Sequence, residues 1–344
     1  MVTAVSDITL ASILAARRTI AGTAIETPLV PSPYLSSVAG REILLKLEMT
    51  QPIGAFKLRG AANAIFSVGE DVAGVTCCST GNHGRGVAFA ARERGLRAVI
   101  CMSKLVPRAK VDGIKALGAE VRIIGASQDE AQLECDRLVR EEGLVDISPF
   151  DTPPVIAGQG TIGVELMEHR ADLATVLVPL SGGGLAGGIA LAVKTMSPRT
   201  RVIGISMDRG PAMVESMRAG KPVDVEELPS LADSLGGGIG LENQYSFALC
   251  RDYLDGTILV SEAEIYRGVQ ALYFEDRLVC EGGSAVGSAA LLAGKLDDLE
   301  GPTAMIISGR NIDMKLHADI IQGRDVVLGD LTLLGKPYAR REPD

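Results

Sequence analysis

Short runs of aliphatic and β-branched residues recur along the chain with little polar alternation: ILLKLE at 43–48, GVTCCS at 74–79, AVICM at 98–102, EVRII at 120–124, ATVLVP at 174–179, RVIGIS at 201–206 and TAMII at 303–307. Such runs suit strands buried on both faces, the situation of a parallel sheet covered by helices. Between them the apolar spacing turns helical, at 84–95, 108–117, 127–142, 184–196 and 262–274, and again in AANAIFSV at 61–68. The N-terminal MVTAVSDITLASILAARR lacks the basic-then-apolar order of a secretory signal and reads as a first helix. Alternating strands and helices predict an α/β fold. No internal repeat argues for a solenoid.

The spacing of these elements suggests two domains. Three compact strand–helix steps lie between 53 and 147, end at the turn-rich SPFDTPP (148–154), and give way to a second set from 174. A small domain, 53–147, inserted into a large one, 1–52 and 148–344, accounts for that order. Residues 173–193 are uncharged and long enough on paper to span a bilayer. Pro179 and the glycines from 182 onward interrupt that span, so it reads as strand, glycine turn and helix.

Composition narrows the partners. With 34 Lys and Arg against 43 Asp and Glu, the net charge is −9, and no global basic field draws the chain to nucleic acid or an anionic membrane. Six cysteines without a paired spacing and three scattered histidines fit neither a disulfide framework nor a zinc site, which points to a reducing cytoplasm. The 40 glycines are about 12% of the chain, against a usual ~7%. Many sit in loops that follow strands, where side chains would block a backbone from approaching a ligand. These loops are therefore expected to converge on one cleft.

Four of them can carry chemistry. Ser181-Gly182-Gly183-Gly184-Leu185 opens a helix after a strand, so converging N–H groups and the positive helix end can hold a phosphate. The same residues spell G-x-G-x-x-G through Gly182, Gly184 and Gly187, and Asp208 follows 21 residues beyond Gly187. That is also the spacing of a dinucleotide fingerprint, which keeps a nicotinamide-dependent dehydrogenase open. Ser79-Thr80-Gly81-Asn82-His83-Gly84, again between strand and helix, is a seat for a carboxylate or simply a helix cap. Gly54-Ala55-Phe56-Lys57-Leu58-Arg59-Gly60 places a lysine beside an aromatic ring, where an apolar setting can lower its pKa and free a neutral amine. Ser308-Gly309-Arg310-Asn311 alone reads as a turn.

Together and in this order, the four loops resemble the fold-type II pyridoxal-phosphate enzymes, in particular the threonine dehydratase and serine racemase group. The likeness runs from about Thr27 to about Asp313, through KLEMTQPIGAFKLRGA (46–61), STGNHG (79–84), AGQGTIGVEL (157–166), SGGGL (181–185), EGGSAVG (281–287) and SGRN (308–311). Within the group the chain is most similar to the hydroxyectoine-utilization dehydratases, through GQGTIG, LVPLSGGG, LADSLGGGIG (231–240) and SGRNIDM (308–314). The resemblance implies a tryptophan-synthase-β-like fold: two open, twisted, mostly parallel sheets flanked by helices, with pyridoxal 5′-phosphate in the cleft between domains. It also implies a homodimer.

Site roles follow from the same resemblance. Lys57 carries the cofactor and then removes the substrate's α-proton. Phe56 packs beside the cofactor ring, Asn82 hydrogen-bonds its 3-hydroxyl, and Gly182, Gly183, Gly184 and Leu185 hold its phosphate. Ser308 faces the ring nitrogen. Ser79, Thr80, Gly81, Asn82 and His83 bind the substrate carboxylate, and Thr80 stands where racemases place a catalytic serine. A neutral partner such as Ser308 cannot stabilise a protonated ring as an aspartate would, so the electron sink is weak and β-hydroxyl loss is favoured over transamination. The implied reaction converts a β-hydroxy amino acid, threonine- or serine-like or hydroxyectoine-derived, to a 2-oxo acid and ammonia.

Departures from the pattern matter as well. The methyl group of Thr80 can misplace its hydroxyl, which leaves racemisation as the alternative activity. Where racemases hold a divalent cation, this chain offers Ser206, Gly210 and Ala212, so no metal is expected. About 30 residues follow Asp313, too few for an isoleucine-binding regulatory domain, and a catabolic role is expected. The purified protein should show the absorbance of a lysine-bound cofactor and lose it on borohydride treatment. A colourless protein that binds reduced nicotinamide would instead favour the dinucleotide reading.

Overall fold

The computed structural model describes residues 7–79, 81–104, 108–125 and 128–340. Its strands, in chain order, are Leu29–Pro31 (β1), Ile43–Lys46 (β2), Val75–Cys78 (β3), Ala98–Met102 (β4), Glu120–Ile123 (β5), Val145–Asp146 (β6), Thr175–Pro179 (β7), Arg201–Met207 (β8), Gly256–Val260 (β9) and Thr303–Ile306 (β10). A terminal hairpin adds Val326–Leu328 (β11) and Leu331–Leu333 (β12). The seven strands expected from apolar runs are all present, within a residue or two at each end.

They form two main sheets. The larger has the order β1-β2-β10-β7-β8-β9, parallel except for β1, and the smaller has the order β5-β4-β3-β6, parallel throughout. Alternate side chains of the large sheet enter different cores. Leu177 and Met305 pack on one side, whereas Val176, Val178, Ala304 and Ile306 pack on the other. Both faces are covered, which is why these strands carry no polar alternation. The membrane-length stretch at 173–193 resolves into β7, the glycine turn and the helix Gly184–Met196. Among the described residues no helix is long and apolar enough to cross a membrane.

The long helix Pro153–His169 was not anticipated from the pattern, because the glycines of AGQGTIG lower helix propensity. Close packing requires them. A Cβ on Gly158 would stand 2.5 Å from the Arg59 carbonyl oxygen, and one on Gly163 would stand 2.9 Å from Ala192. This helix therefore sits directly against the helices Lys57–Ser67 and Gly184–Met196. The edge strand β9 was also missed; its first four residues are only half-buried, so its apolar signal is short.

A wholly buried ion network locks Lys57–Ser67 in place. The Arg59 guanidinium lies between two carboxylates: it meets Glu48 through Nε and Nη2 at 2.8 Å each, and Glu165 through Nη1 at 2.5 Å and Nη2 at 2.9 Å. Lys46 Nζ reaches Glu165 at 2.5 Å and donates to the Thr27 carbonyl at 2.7 Å. The four side chains are no more than 3% exposed. Two cations and two anions balance, and nearly every lone pair and N–H is used, the condition under which buried charge is tolerated. Arg59→Met should unfold about 3–5 kcal/mol more easily in urea, because it leaves two buried carboxylates without their shared cation. A change below about 1 kcal/mol would show that the network contributes little.

Candidate functional site

Parallel sheets bind ligands beyond the carboxyl ends of their strands, where the strand order reverses. In the small sheet the reversal lies between β3 and β6, which are followed by Ser79 and by the loop 147–152. In the large sheet it lies between β10 and β7, followed by 307–313 and 180–183. These loops meet, and Lys57 lies among them.

The approach to Lys57 is pinned to the loop after β10. Phe56 N–H donates to Ser308 O at 2.9 Å, Arg310 N–H donates to Gly54 O at 2.9 Å, and Ala55 bridges to Gly309. Gly54 turns the chain at φ +79° with Asn311 pressed against it, which leaves no room for a side chain. Lys57 is the first residue of the helix Lys57–Ser67, a turn earlier than the pattern indicated, because Phe56 already adopts helical angles. Its Nζ donates to the Pro149 carbonyl at 2.7 Å and lies 5.4 Å from the centre of the Phe56 ring. Enclosure of the amine pushes its pKa down to about 8, with the Glu281 carboxylate opposing the shift.

Facing it is the helix Asn82–Arg94, whose cap Gly81 offers no side chain to the first helical N–H groups, while its own N–H donates to Ser79 Oγ at 3.4 Å. Its first N–H groups are therefore available to an anion. Thr80 lies outside the described residues. His83 Nε2 meets the Ile147 carbonyl at 2.6 Å; a carbonyl only accepts, so Nε2 carries the hydrogen and the buried Nδ1 has none. Burial and the nearby Lys57 push this imidazole down to about 3, and it stays neutral. What His83 can offer a carboxylate is its backbone N–H. Ser79 is half-buried beside it.

The glycine turn after β7 opens the helix Gly184–Met196, whose cap Gly183 lies at φ +87° and offers no side chain to the first helical N–H groups, while its carbonyl accepts from Cys250 Sγ at 3.5 Å. Phe150 closes over this turn: a Cβ on Gly182 would meet its ring at 2.5 Å, and one on Gly184 its carbonyl oxygen at 2.5 Å. Leu185 is buried behind. Not every loop glycine serves the cleft. Gly60 packs on Gln159, Gly187 on Leu249 and Gly188 on the Ile156 carbonyl, so these three set helix contacts instead. Gly187, the third glycine of the dinucleotide spelling, thus packs helix on helix.

Sequence reasoning missed the partners that hold the site. The carbonyls of Ile147 and Pro149, two residues apart on the strand-exit segment, anchor His83 and Lys57 respectively. Asp151 fastens that segment by accepting from the N–H groups of Gln244, Tyr245 and Ser246 at 2.7–2.9 Å. Glu281 accepts from Asn82 Nδ2 at 2.9 and 3.1 Å, and Asn311 Nδ2 donates to Asn82 Oδ1 at 2.6 Å. Ser308 Oγ lies 3.0 Å from Ser284 Oγ, a neutral pair. Nothing local in the sequence identifies these partners, because each contact spans about 60 to 230 positions; Ser308–Ser284 alone is closer, at 24. An uncapped glycine turn, an enclosed amine of lowered pKa and an orphaned ring nitrogen together make a site suited to an aldehyde-bearing phosphate ester.

Residues 20–309 match the family described as pyridoxal-phosphate dependent enzyme. A protein of Sinorhizobium fredii, provisionally named a threonine dehydratase, is 52% identical over 92% of this chain and 96% of its own. The catabolic L-threonine dehydratase TdcB of Escherichia coli K12 is 38% identical over 90% of this chain and 94% of its own. The solved structure of maize serine racemase superposes with a TM-score of 0.86 at 31% identity, covering 90% of this chain and 95% of that one.

The lowered pKa of Lys57 has a direct test in the cofactor-stripped protein. Reductive methylation at Lys57, read by peptide mass spectrometry, should rise with pH and level off above about 8, while exposed lysines keep gaining reactivity toward ~10.4. Because the unfolded chain then binds the extra proton, folding stability should also increase with pH between those two values. Lys57 reactivity still climbing at pH 10 would contradict the enclosure described above.

Proposed function

The chain belongs to the pyridoxal-phosphate-dependent enzymes, and from that membership we propose that it is a dehydratase of the threonine ammonia-lyase type, converting a β-hydroxy amino acid to a 2-oxo acid and ammonia. The observation that carries this reading is the placement of an enclosed amine, Lys57, among two helix starts that no side chain caps. When bound, pyridoxal phosphate supplies an electrophilic aldehyde carbon and a conjugated ring that draws electrons from the substrate's α-carbon.

The residues of the chain then divide the work. Backbone N–H groups at 182–185 and the positive helix end hold the phosphate, and Phe56 supports the ring. Asn82 offers an N–H to the ring oxygen, and Ser308 offers a neutral hydroxyl to the ring nitrogen. The N–H groups around Gly81, Asn82 and His83, with the hydroxyls of Ser79 and Thr80, orient the substrate carboxylate. Lys57, neutral near pH 8 and above, takes the α-proton, and the Pro149 carbonyl at 2.7 Å receives an N–H of the ammonium that results. The β-hydroxyl leaves as water with a proton that balances the one Lys57 removed, and hydrolysis of the released enamine gives the 2-oxo acid and ammonium.

A division into 53–147 and the remainder is supported by the sheets: the four-stranded sheet lies within 53–147 and the six-stranded one outside it. The catabolic role is supported by the TdcB relative. A hydroxyectoine-derived substrate is carried over from the resemblance through the segment 231–240, which packs on Gly282 and Gly283 through Leu231 and Ser234. Six free cysteines support a cytoplasmic location, and homodimerisation is carried over from the resemblance.

Lys57→Ala should keep its circular dichroism and lose ammonia release by at least a factor of ~10³. Retained turnover would assign the proton to another base. Assayed on threonine, serine, 3-hydroxyaspartate and hydroxyectoine-derived amino acids, the wild-type protein should release ammonia from at least one. Formation of the opposite enantiomer without ammonia would make it a racemase.

A further inference from the structure

Asn82 is the side chain through which the small-sheet helix Asn82–Arg94 reaches across the cleft, and its amide has only one orientation that satisfies its neighbours. The Ile53 carbonyl can only accept a hydrogen bond. It lies 2.9 Å from an Asn311 side-chain atom, which must therefore be Nδ2. The same Nδ2 stands 2.6 Å from Asn82, and the atom it meets must be an acceptor, Oδ1. Asn82 Nδ2 is thereby turned to Glu281, 2.9 and 3.1 Å from its two oxygens. Two oxygens of one carboxylate lie close together, so they share a single N–H, and the second N–H of Asn82 has no other partner among the described residues.

Glu281 is held as firmly as the amide it faces. It is 4% exposed, receives Asn311 N–H at 3.2 Å and a further hydrogen bond from Ser234, and lies against Gly309, where a Cβ would come within 2.7 Å of it. Asn82, Asn311 and Ser234 all donate to it, so an acceptor-only group fits the position and an amide does not. Burial raises the pKa of this carboxyl, and Lys57 responds to its charge.

We propose that Glu281 is a positioning residue: with Asn311 it fixes the Asn82 amide so that its free N–H meets the 3-oxygen of the cofactor ring, tying cofactor recognition to contact between the two sheets. This rests on the reading of the cleft as a pyridoxal-phosphate site. Glu281→Gln keeps the volume but introduces an N–H that faces Asn82 Nδ2, so the amide loses its fixed orientation.

The experiment titrates cofactor-stripped protein with pyridoxal phosphate and with its 3-deoxy analogue, following absorbance. Wild type should bind pyridoxal phosphate about tenfold more tightly, as expected for losing one hydrogen bond to a charged oxygen. E281Q and, independently, N311A should bring that ratio close to one. A variant that is merely destabilised weakens both ligands alike and leaves the ratio unchanged, which overturns the proposal. N311A keeps the test available if E281Q fails to fold. Equal binding of the two ligands by wild type also overturns it, while the cofactor assignment stands. Absence of binding by either ligand overturns the cofactor assignment and the proposal together.

Discussion

The fork of Arg59 between Glu48 and Glu165 is the contact on which the arrangement of the cleft depends. It ties the helix that begins at Lys57 to the segment after β2 and to the long helix Pro153–His169, both elements of the large-sheet side. The same helix also packs into the small-sheet core through Leu58, Ala61, Ala62 and Ile65. Lys57 therefore stands where the two halves join, and its position is set by charge pairs that cannot be broken one at a time without leaving a buried ion. A reactive amine needs such rigidity, because a flexible lysine would turn to solvent and regain its ordinary pKa.

Around that fixed point, the two parallel sheets contribute through the ends at which their loops can diverge. Each reversal of strand order opens a crevice at the carboxyl ends, and the loops after β3, β6, β7 and β10 occupy the two crevices. The segment after β6 joins them. It anchors His83 and Lys57 through the carbonyls of Ile147 and Pro149, lays Phe150 over the glycine turn, and is fastened at Asp151. Backbone carbonyls suit this task because they accept without adding charge, so the imidazole stays neutral and the amine is held without a carboxylate in contact that would raise its pKa further.

The glycine surplus divides into two physical roles. Gly182, Gly183 and Gly184 leave a helix start open to a ligand, while Gly60, Gly158, Gly163 and Gly188 let helices approach to distances a methyl group would forbid. The two sets look alike in composition. They part only when the neighbours are known: the packing set lies inside helices and faces neighbouring helices, whereas Gly182, Gly183 and Gly184 form the turn that opens a helix, beneath Phe150.

Much of this was legible in the chain itself. Unalternating apolar runs predicted seven strands, and the loops holding Lys57, Asn82 and Gly182 stood out because glycine, hydroxyl and amide residues cluster after those runs. Local pattern determines such features, since burial on both faces and turn geometry act over a few residues. The pairing of Arg59 with Glu165, the neutral tautomer of His83 and the single allowed orientation of Asn82 were decided by tertiary structure alone. Each depends on a partner brought from tens to hundreds of residues away, and a charge or amide acquires its pKa, proton and direction from what it is buried against.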